Sequence, residues 1–231
     1  HKSLKNTSRY YAKKILKITS EDIFFSAAKL FFAYGLGNAL TFPLSVGATS
    51  ILSKDRPTVE IVNNKIKHNK VTIFFGVPTL YAAMLNSNLK PEDFKTLRLS
   101  VSAGEALPEN LCNKWSKTIG SSVLDGIGST EMLHIFISNY IDLITPGSSG
   151  RPVPSYEVRL IKEDNSEADT NEIGELEVKG PTSAISYWNK PEKTKATFVG
   201  GWVKTGDKYT KDVNGIYKYC GRADDMMKVS G

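Results

Sequence analysis

Hydrophobic and polar positions follow two different patterns along the chain, and the pattern changes near Pro146. Before that point, short apolar runs typical of buried strands are separated by stretches with helical spacing. Strands are predicted at residues 46–52, 71–75, 97–101 and 122–124, and helices are predicted to begin at Pro57, Pro78 and Pro108. Apolar runs that are joined by helices predict a mostly parallel α/β sheet. In such sheets, ligands bind at the carboxyl ends of the strands.

After Pro146 the chain changes to short alternating strands separated by turns. Strands are predicted at residues 156–160, 175–178 and 216–219, and Asn214-Gly215 before the last of them is a strong hairpin signal. We therefore divide the chain into an α/β subdomain, residues 1–146, and a small antiparallel, β-barrel-like subdomain, residues 147–221.

The composition is that of a folded protein, with 231 residues, 40% apolar and 23% charged. Cys112 and Cys220 are expected to be free thiols in a reducing compartment, and with no signal peptide in view we expect a cytoplasmic protein. The most apolar stretch, residues 23–40, is too polar to span a membrane. The chain begins at His1 and ends inside what resembles a motif, so we expect it to be a piece of a longer protein.

The formal charge of +6 comes from one segment. Residues 1–20 hold six of the 30 basic residues and no acid, so the remaining 24 basic residues balance the 24 acidic ones. Leu4, Tyr11, Ile15 and Ile18 recur at roughly helical intervals in this segment, which predicts an amphipathic helix with solvated lysines. A nucleic-acid partner is disfavoured, because the rest of the chain is neutral.

Four segments carry residue types that suit nucleotide chemistry. Residues 125–131, sequence DGIGSTE, follow a predicted buried strand, where glycines admit a ligand and a carboxylate can hold Mg²⁺ beside phosphates. Residues 102–108 also end a strand, with small side chains that leave room for a planar ring. Asp207 in residues 201–207 can accept bonds from a ribose diol, and Arg222 in residues 221–231 can bind phosphate or ribose oxygens.

Each segment also has a plainer interpretation. Ser129 and Thr130 could cap a helix start, residues 102–108 could be a tight connection, and Asp207 or Arg222 could be a surface charge. Taken together and in this order, however, the four segments resemble the motifs of the adenylate-forming enzymes, the superfamily of acyl-CoA synthetases, luciferases and peptide-synthetase adenylation domains. Residues 26–38, 76–81 and 125–136 are similar, more specifically, to the benzoate-CoA ligases.

The resemblance implies a two-step reaction. An aryl carboxylate such as benzoate attacks the α-phosphorus of ATP to give an aryl-AMP and pyrophosphate, and the thiol of coenzyme A then displaces AMP. Thr130 would contact the phosphate and carboxylate region, Glu131 would hold Mg²⁺, Asp207 would bind the ribose hydroxyls and Arg222 the ribose and phosphate side. Adenine would lie between two backbone segments, Gly104, Glu105 and Ala106 on one side and Asp125, Gly126 and Ile127 on the other.

The same resemblance points to an acyl pocket of six residues, Ala33, Tyr34, Ala103, Gly128, His134 and Ile135. Small residues would make a flat slot for an aromatic ring, and His134 would lie near the carboxylate. Without the family pattern, His134 would be interpreted as an ordinary core or surface histidine.

Asp224 resembles the hinge about which the family's small carboxy-terminal domain rotates, so residues 222–231 would lead to a domain that this sequence does not contain. The family's catalytic lysine and most coenzyme A contacts belong to that domain, and the family's pyrophosphate loop would precede His1. The 231-residue chain should therefore adenylate poorly by itself. Two alternatives stay open: a ligase for another aryl or heteroaryl acid, such as a hydroxy- or aminobenzoate, and an inactive acyl-adenylate-binding module. Whether the parent protein is a homodimer is open as well.

Overall fold

The structure, a computed structural model, describes residues 1–223. Its larger part is a seven-stranded sheet with the strand order β2, β1, β3, β4, β5, β6, β7. Strands β1 to β5 pair in parallel, whereas β6 and β7 pair antiparallel at one end. The strands are β1 (Ile23–Ser26), β2 (Thr49–Ile51), β3 (Ile73–Gly76), β4 (Leu99–Ser102), β5 (Ser122–Gly128), β6 (Ile135–Ser138) and β7 (Arg151–Pro152).

Helices connect the parallel strands as the apolar pattern predicts. The helices of this part are α1 (Lys2–Thr7), continued by a π-helical turn (Ser8–Lys13), α2 (Ala33–Leu36), a second π-helical turn (Gly37–Thr41), α3 (Phe42–Leu44), α4 (Val59–Asn69), α5 (Pro78–Leu85), a 3₁₀ turn (Pro91–Phe94) and α6 (Glu109–Ile119). Helix α4 begins at Val59, because the Thr58 hydroxyl accepts a hydrogen bond from the Ile61 amide and caps it.

A second, antiparallel sheet follows, with the order β10, β11, β9, β8 and with β12 paired to β11. Its elements are β8 (Glu157–Ile161), β9 (Gly174–Lys179), α7 (Pro191–Thr197), β10 (Phe198–Val199), β11 (Trp202–Lys211) and β12 (Tyr217–Arg222). The predicted hairpin at Asn214-Gly215 connects β11 to β12, and Gly215 has a φ of 74° that suits glycine. The predicted fold class, a mostly parallel sheet followed by a small antiparallel β unit, is thereby confirmed.

The core lies on both faces of the larger sheet, because successive strand residues point to opposite sides. In β3, Ile73 and Phe75 join the cluster that includes the second sheet, whereas Phe74 joins the cluster beneath α4, α5 and α6. The N-terminal segment covers the first of these clusters with Tyr11, Ile15 and Ile18.

Some sequence predictions need correction. Leu4, predicted on the apolar face, is 37% exposed, while Tyr11 and Ile15 are buried as expected. The strand predicted at residues 46–52 contains only β2, because residues 45–48 turn back onto the end of α3. Strands β1, β6, β7, β10 and β11 were not predicted. The basic side chains of residues 1–20 are exposed, as the amphipathic helix requires.

Candidate active site

A cavity of about 640 Å³ opens at the carboxyl ends of β1, β3, β4 and β5, the edge where ligands are expected. Its walls combine small and apolar residues from the segments that follow these strands. All six residues of the predicted acyl pocket line it: Ala33, Tyr34, Ala103, Gly128, His134 and Ile135. Gly104 and Thr130 line it as well, so the cavity reaches two of the predicted nucleotide motifs.

Tyr34 is a fixed wall of this cavity. Its hydroxyl lies 3.3 Å from the carbonyl oxygens of Gly76 and Val101, at the ends of β3 and β4. Burial raises the pKa of the Tyr34 hydroxyl, so the side chain stays neutral and offers a rigid aromatic surface.

His134 is a buried, neutral member of the same wall. Its Nε2 lies 3.0 Å from the Asn38 Oδ1, and its ring packs edge-on against Phe42 with centroids 4.6 Å apart. Burial lowers the pKa of His134 to about 3, so the imidazole carries no charge at neutral pH. His134 is therefore both a core histidine and a pocket residue, and it cannot act as a cation in this cavity.

Sequence analysis did not identify Arg56. Among the described residues that line the cavity, Arg56 is the one with a charged side chain. The loop that carries it is held by Lys29, whose ammonium donates to the carbonyl oxygens of Ser53 and Asp55. A single cation in a mostly apolar wall favours an anionic ligand such as a carboxylate. Its position could not be inferred from sequence spacing, because it depends on the contact between Lys29 and a loop 24 to 26 residues away.

The DGIGSTE segment runs along β5 into a tight turn. A Cβ on Gly126 would lie 2.7 Å from the Ile137 carbonyl oxygen, and one on Gly128 would lie 2.6 Å from the His134 carbonyl oxygen. These glycines are needed because β6 approaches closely, which is a reason that sequence reasoning did not give. The alternative that Ser129 caps a helix is wrong: its hydroxyl accepts from the Met132 amide across a turn that leads into β6.

Glu131 follows in this turn, and Tyr187 donates a hydrogen bond to its Oε1 at 2.5 Å. Among the described residues there is no cluster of three or more His, Cys, Asp or Glu that could enclose a metal ion. A single carboxylate beside a threonine hydroxyl nevertheless suits Mg²⁺, because this ion takes oxygen ligands and is commonly held by one or two carboxylates, substrate phosphates and water. Glu131 and Thr130 therefore fit the predicted metal and phosphate roles chemically.

Asp125 is a buried carboxylate at the predicted adenine position. Its Oδ2 accepts from the Leu107 amide at 3.4 Å, and its side chain has no basic partner among the described residues. Burial raises its pKa to about 7. Gly104, Glu105 and Ala106 form an exposed loop after β4.

Asp207 and Arg222 face each other across β11 and β12. The guanidinium Nη1 of Arg222 donates to the Asp207 Oδ1 at 3.2 Å. Burial raises the pKa of Asp207, and the positive charge of Arg222 opposes that rise. Neither residue lines the 640 Å³ cavity.

Tyr209 connects the second sheet with the region of Asp125. Its hydroxyl is 3.0 Å from the Ser149 hydroxyl, which belongs to the segment before β7. Burial raises the pKa of Tyr209, and the negative charges of Asp207 and Asp125 raise it further. The negative charges of Asp207 and Asp125 therefore both act on this one buried phenol.

Not every predicted site residue lines this cavity. The predicted residues Glu105, Ala106, Asp125, Gly126, Ile127 and Glu131 do not line the cavity, and Asp224 lies outside the described residues. Within residues 1–223, no helix has the length and apolar character needed to cross a membrane.

Comparison with known proteins places these features in a family. Residues 1–188 match the family model described as "AMP-binding enzyme". The chain is 54% identical, over its whole length, to a benzoate–CoA ligase of Thauera aromatica, of which it spans 44%.

Two solved structures share the fold. A benzoate CoA ligase from Burkholderia xenovorans LB400 superposes with a TM-score of 0.96 at 51% identity, covering 99% of this chain and 47% of that one. The anthranilate CoA ligase AuaEII in complex with anthranoyl-AMP gives a TM-score of 0.95 at 42% identity, covering 97% of this chain and 44% of that one.

Proposed function

The chain belongs to the AMP-binding enzyme family, and from that premise we propose that it forms the acyl- and nucleotide-binding part of an aryl acid–CoA ligase acting on benzoate. The proposed reaction joins benzoate to AMP from ATP with release of pyrophosphate and then transfers the benzoyl group to coenzyme A. The chain spans less than half the length of the relatives it matches, so this activity is proposed for the whole protein. Because ATP and coenzyme A are the proposed co-substrates, we propose that the whole protein acts in the cytoplasm.

One observation carries the proposal. The six residues expected for the acyl pocket come from four separate segments, yet all of them line a single cavity that also includes Thr130. The walls of that cavity exclude water from an aromatic ring, and Arg56 attracts an anion to it. An aryl carboxylate has this combination of a flat apolar ring and a negative charge.

We assign the nucleotide roles to the residues around this cavity. The Thr130 hydroxyl donates to phosphate oxygens, and Glu131 holds the Mg²⁺ that accompanies ATP. When bound, this ion supplies positive charge that stabilises the charge developing on the phosphates. Asp207 accepts hydrogen bonds from the ribose hydroxyls, for which the bond from Arg222 must shift from the carboxylate to the nucleotide. The adenine role stays with the Gly104 and Asp125 segments.

A ligase for a hydroxy- or aminobenzoate is a second candidate, and His134 favours it. The Nδ1 of its buried, neutral imidazole has no hydrogen-bond partner within the described chain, and the residue lines the cavity. With the Nε2 proton donated to the Asn38 Oδ1, this Nδ1 is an acceptor that a ring hydroxyl or amine could satisfy.

An acid panel assayed on the whole protein that carries this chain tests the proposal. Pyrophosphate release and acyl-CoA formation are measured with benzoate, 4-hydroxybenzoate, 2-aminobenzoate and acetate. The proposal expects the highest kcat/KM with benzoate and none with acetate. A preference for a substituted ring would favour the second candidate, and activity with aliphatic acids alone would contradict both.

A further inference from the structure

The loop between β9 and α7, residues 180–190, holds the turn that carries Glu131 through three contacts. The Thr182 hydroxyl donates to the Met132 carbonyl oxygen at 2.7 Å, and the Ala184 amide donates to the Glu131 carbonyl oxygen at 2.7 Å. The third contact reaches the side chain: the Tyr187 hydroxyl donates to the Glu131 Oε1 at 2.5 Å. The first two contacts fix the backbone, and the third fixes the carboxylate.

Tyr187 is itself held in place by α7 and by the first residue of β10. Its amide donates to the Thr194 hydroxyl at 3.0 Å, and its ring packs edge-on against Phe198 with centroids 5.4 Å apart. The ammonium group of Lys193 lies 4.7 Å from the centre of the same ring. The phenol is therefore a stationary donor, and a short hydrogen bond to an ionised carboxylate is among the stronger kinds.

The carboxylate of Glu131 has two oxygens, and Tyr187 occupies one of them. A glutamate side chain has three rotatable bonds, so without this contact its carboxylate would sample many directions. With Oε1 bound to the phenol, Oε2 points in one direction relative to the turn and is left for a metal ion. Hydrogen bonds of this kind to a metal ligand orient it and tune its basicity.

We propose that Tyr187 is a positioning residue that orients Glu131 for the Mg²⁺ that accompanies ATP. This inference rests on the proposed function, because it takes Glu131 as the metal ligand. Tyr187 acts only through Glu131, so its loss weakens the contribution of Mg²⁺ to ATP binding and leaves binding of metal-free ATP unchanged.

The experiment compares ATP binding by the whole protein that carries this chain in Mg²⁺ and in EDTA, by calorimetry. The ratio of the dissociation constant in EDTA to the dissociation constant in Mg²⁺ isolates the contribution of the metal. Tyr187→Phe keeps the ring packing and removes the hydroxyl, and Glu131→Gln serves as the reference for loss of the metal ligand. Tyr140→Phe is the matched control, because it removes a hydroxyl that donates to the Pro152 carbonyl oxygen at 2.7 Å, away from this turn.

We expect Tyr187→Phe to lower the ratio by roughly tenfold, as loss of a partner of a metal ligand does, while Tyr140→Phe keeps the wild-type ratio. An unchanged ratio in Tyr187→Phe overturns the inference, and so does a wild-type protein whose ATP affinity is the same with and without Mg²⁺. A wild-type whole protein that binds no ATP under either condition contradicts the proposed function instead.

Discussion

The buried carboxylate of Asp125 makes the stability of the chain depend on pH in a specific direction. Its pKa is raised by burial from 3.8 to about 7, so the folded chain keeps a proton that the unfolded chain releases. The stability that this proton supplies is present below pH 4 and is lost as the pH rises through 7. About three pKa units at 1.36 kcal/mol each give a loss of about 4 kcal/mol at pH 8.

The substitution Asp125→Asn removes the ionisation and keeps an oxygen acceptor for the Leu107 amide. We expect the variant to be more stable than the wild type at pH 8 by up to about 4 kcal/mol. At pH 4 the two should be nearly equal. The free energy of unfolding is measured by urea denaturation at pH 4, 5, 6, 7 and 8.

Asp22 supplies a control of opposite sign. This buried carboxylate suffers a burial penalty too, but hydrogen bonds from Arg98, the Thr19 amide and Thr72 outweigh it and hold its pKa below the usual value. Its contribution is present above pH 4 and is lost in acid, so Asp22→Asn should destabilise the chain at pH 7 and much less at pH 3. The expectation for Asp125 would be contradicted if Asp125→Asn raised the free energy of unfolding equally at pH 5 and pH 8, or if the variant were less stable than the wild type at pH 8.

Three further changes test the cavity and its supports. Ala103→Phe fills the slot and should weaken benzoate binding by at least about tenfold, measured by calorimetry; unchanged affinity would exclude this slot. Arg56→Ala should weaken benzoate binding by about two- to fivefold at low salt and less at 0.5 M salt, whereas Lys54→Ala, in the same loop but outside the cavity lining, should have no effect. Thr182→Val removes a buried hydroxyl that donates to the Met132 carbonyl oxygen, so urea denaturation should show a loss of about 1–3 kcal/mol; a loss below 0.5 kcal/mol would speak against the contact.

The fold was predictable where periodicity is strong. Local sequence alone predicts a strand at residues 71–75 and a hairpin turn at Asn214-Gly215, and both predictions are confirmed. Strand β6 was missed, because the glycine-rich turn before it resembles a helix start. Its pairing with β5 on one side and β7 on the other makes it a strand, and pairing is a tertiary interaction.

The residues of the candidate site also divide into those that the sequence predicted and those that only the structure identified. The six pocket residues were named from family resemblance, and the structure adds that they share a cavity. Arg56 and Tyr187 could not be found in this way, because their positions depend on contacts between distant segments. The hydrogen bond from Tyr187 to Glu131 joins residues 56 positions apart, and no periodicity in either segment indicates it.

The central claim is that one surface of this chain binds an aromatic acyl group joined to AMP. Calorimetric titration of the 231-residue chain with a non-hydrolysable benzoyl-AMP mimic tests it most directly. We expect one equivalent of the mimic to bind, AMP to compete with it, and Ala103→Phe to weaken its binding strongly. Absence of binding by the wild-type chain, or equal affinity in Ala103→Phe, would contradict it.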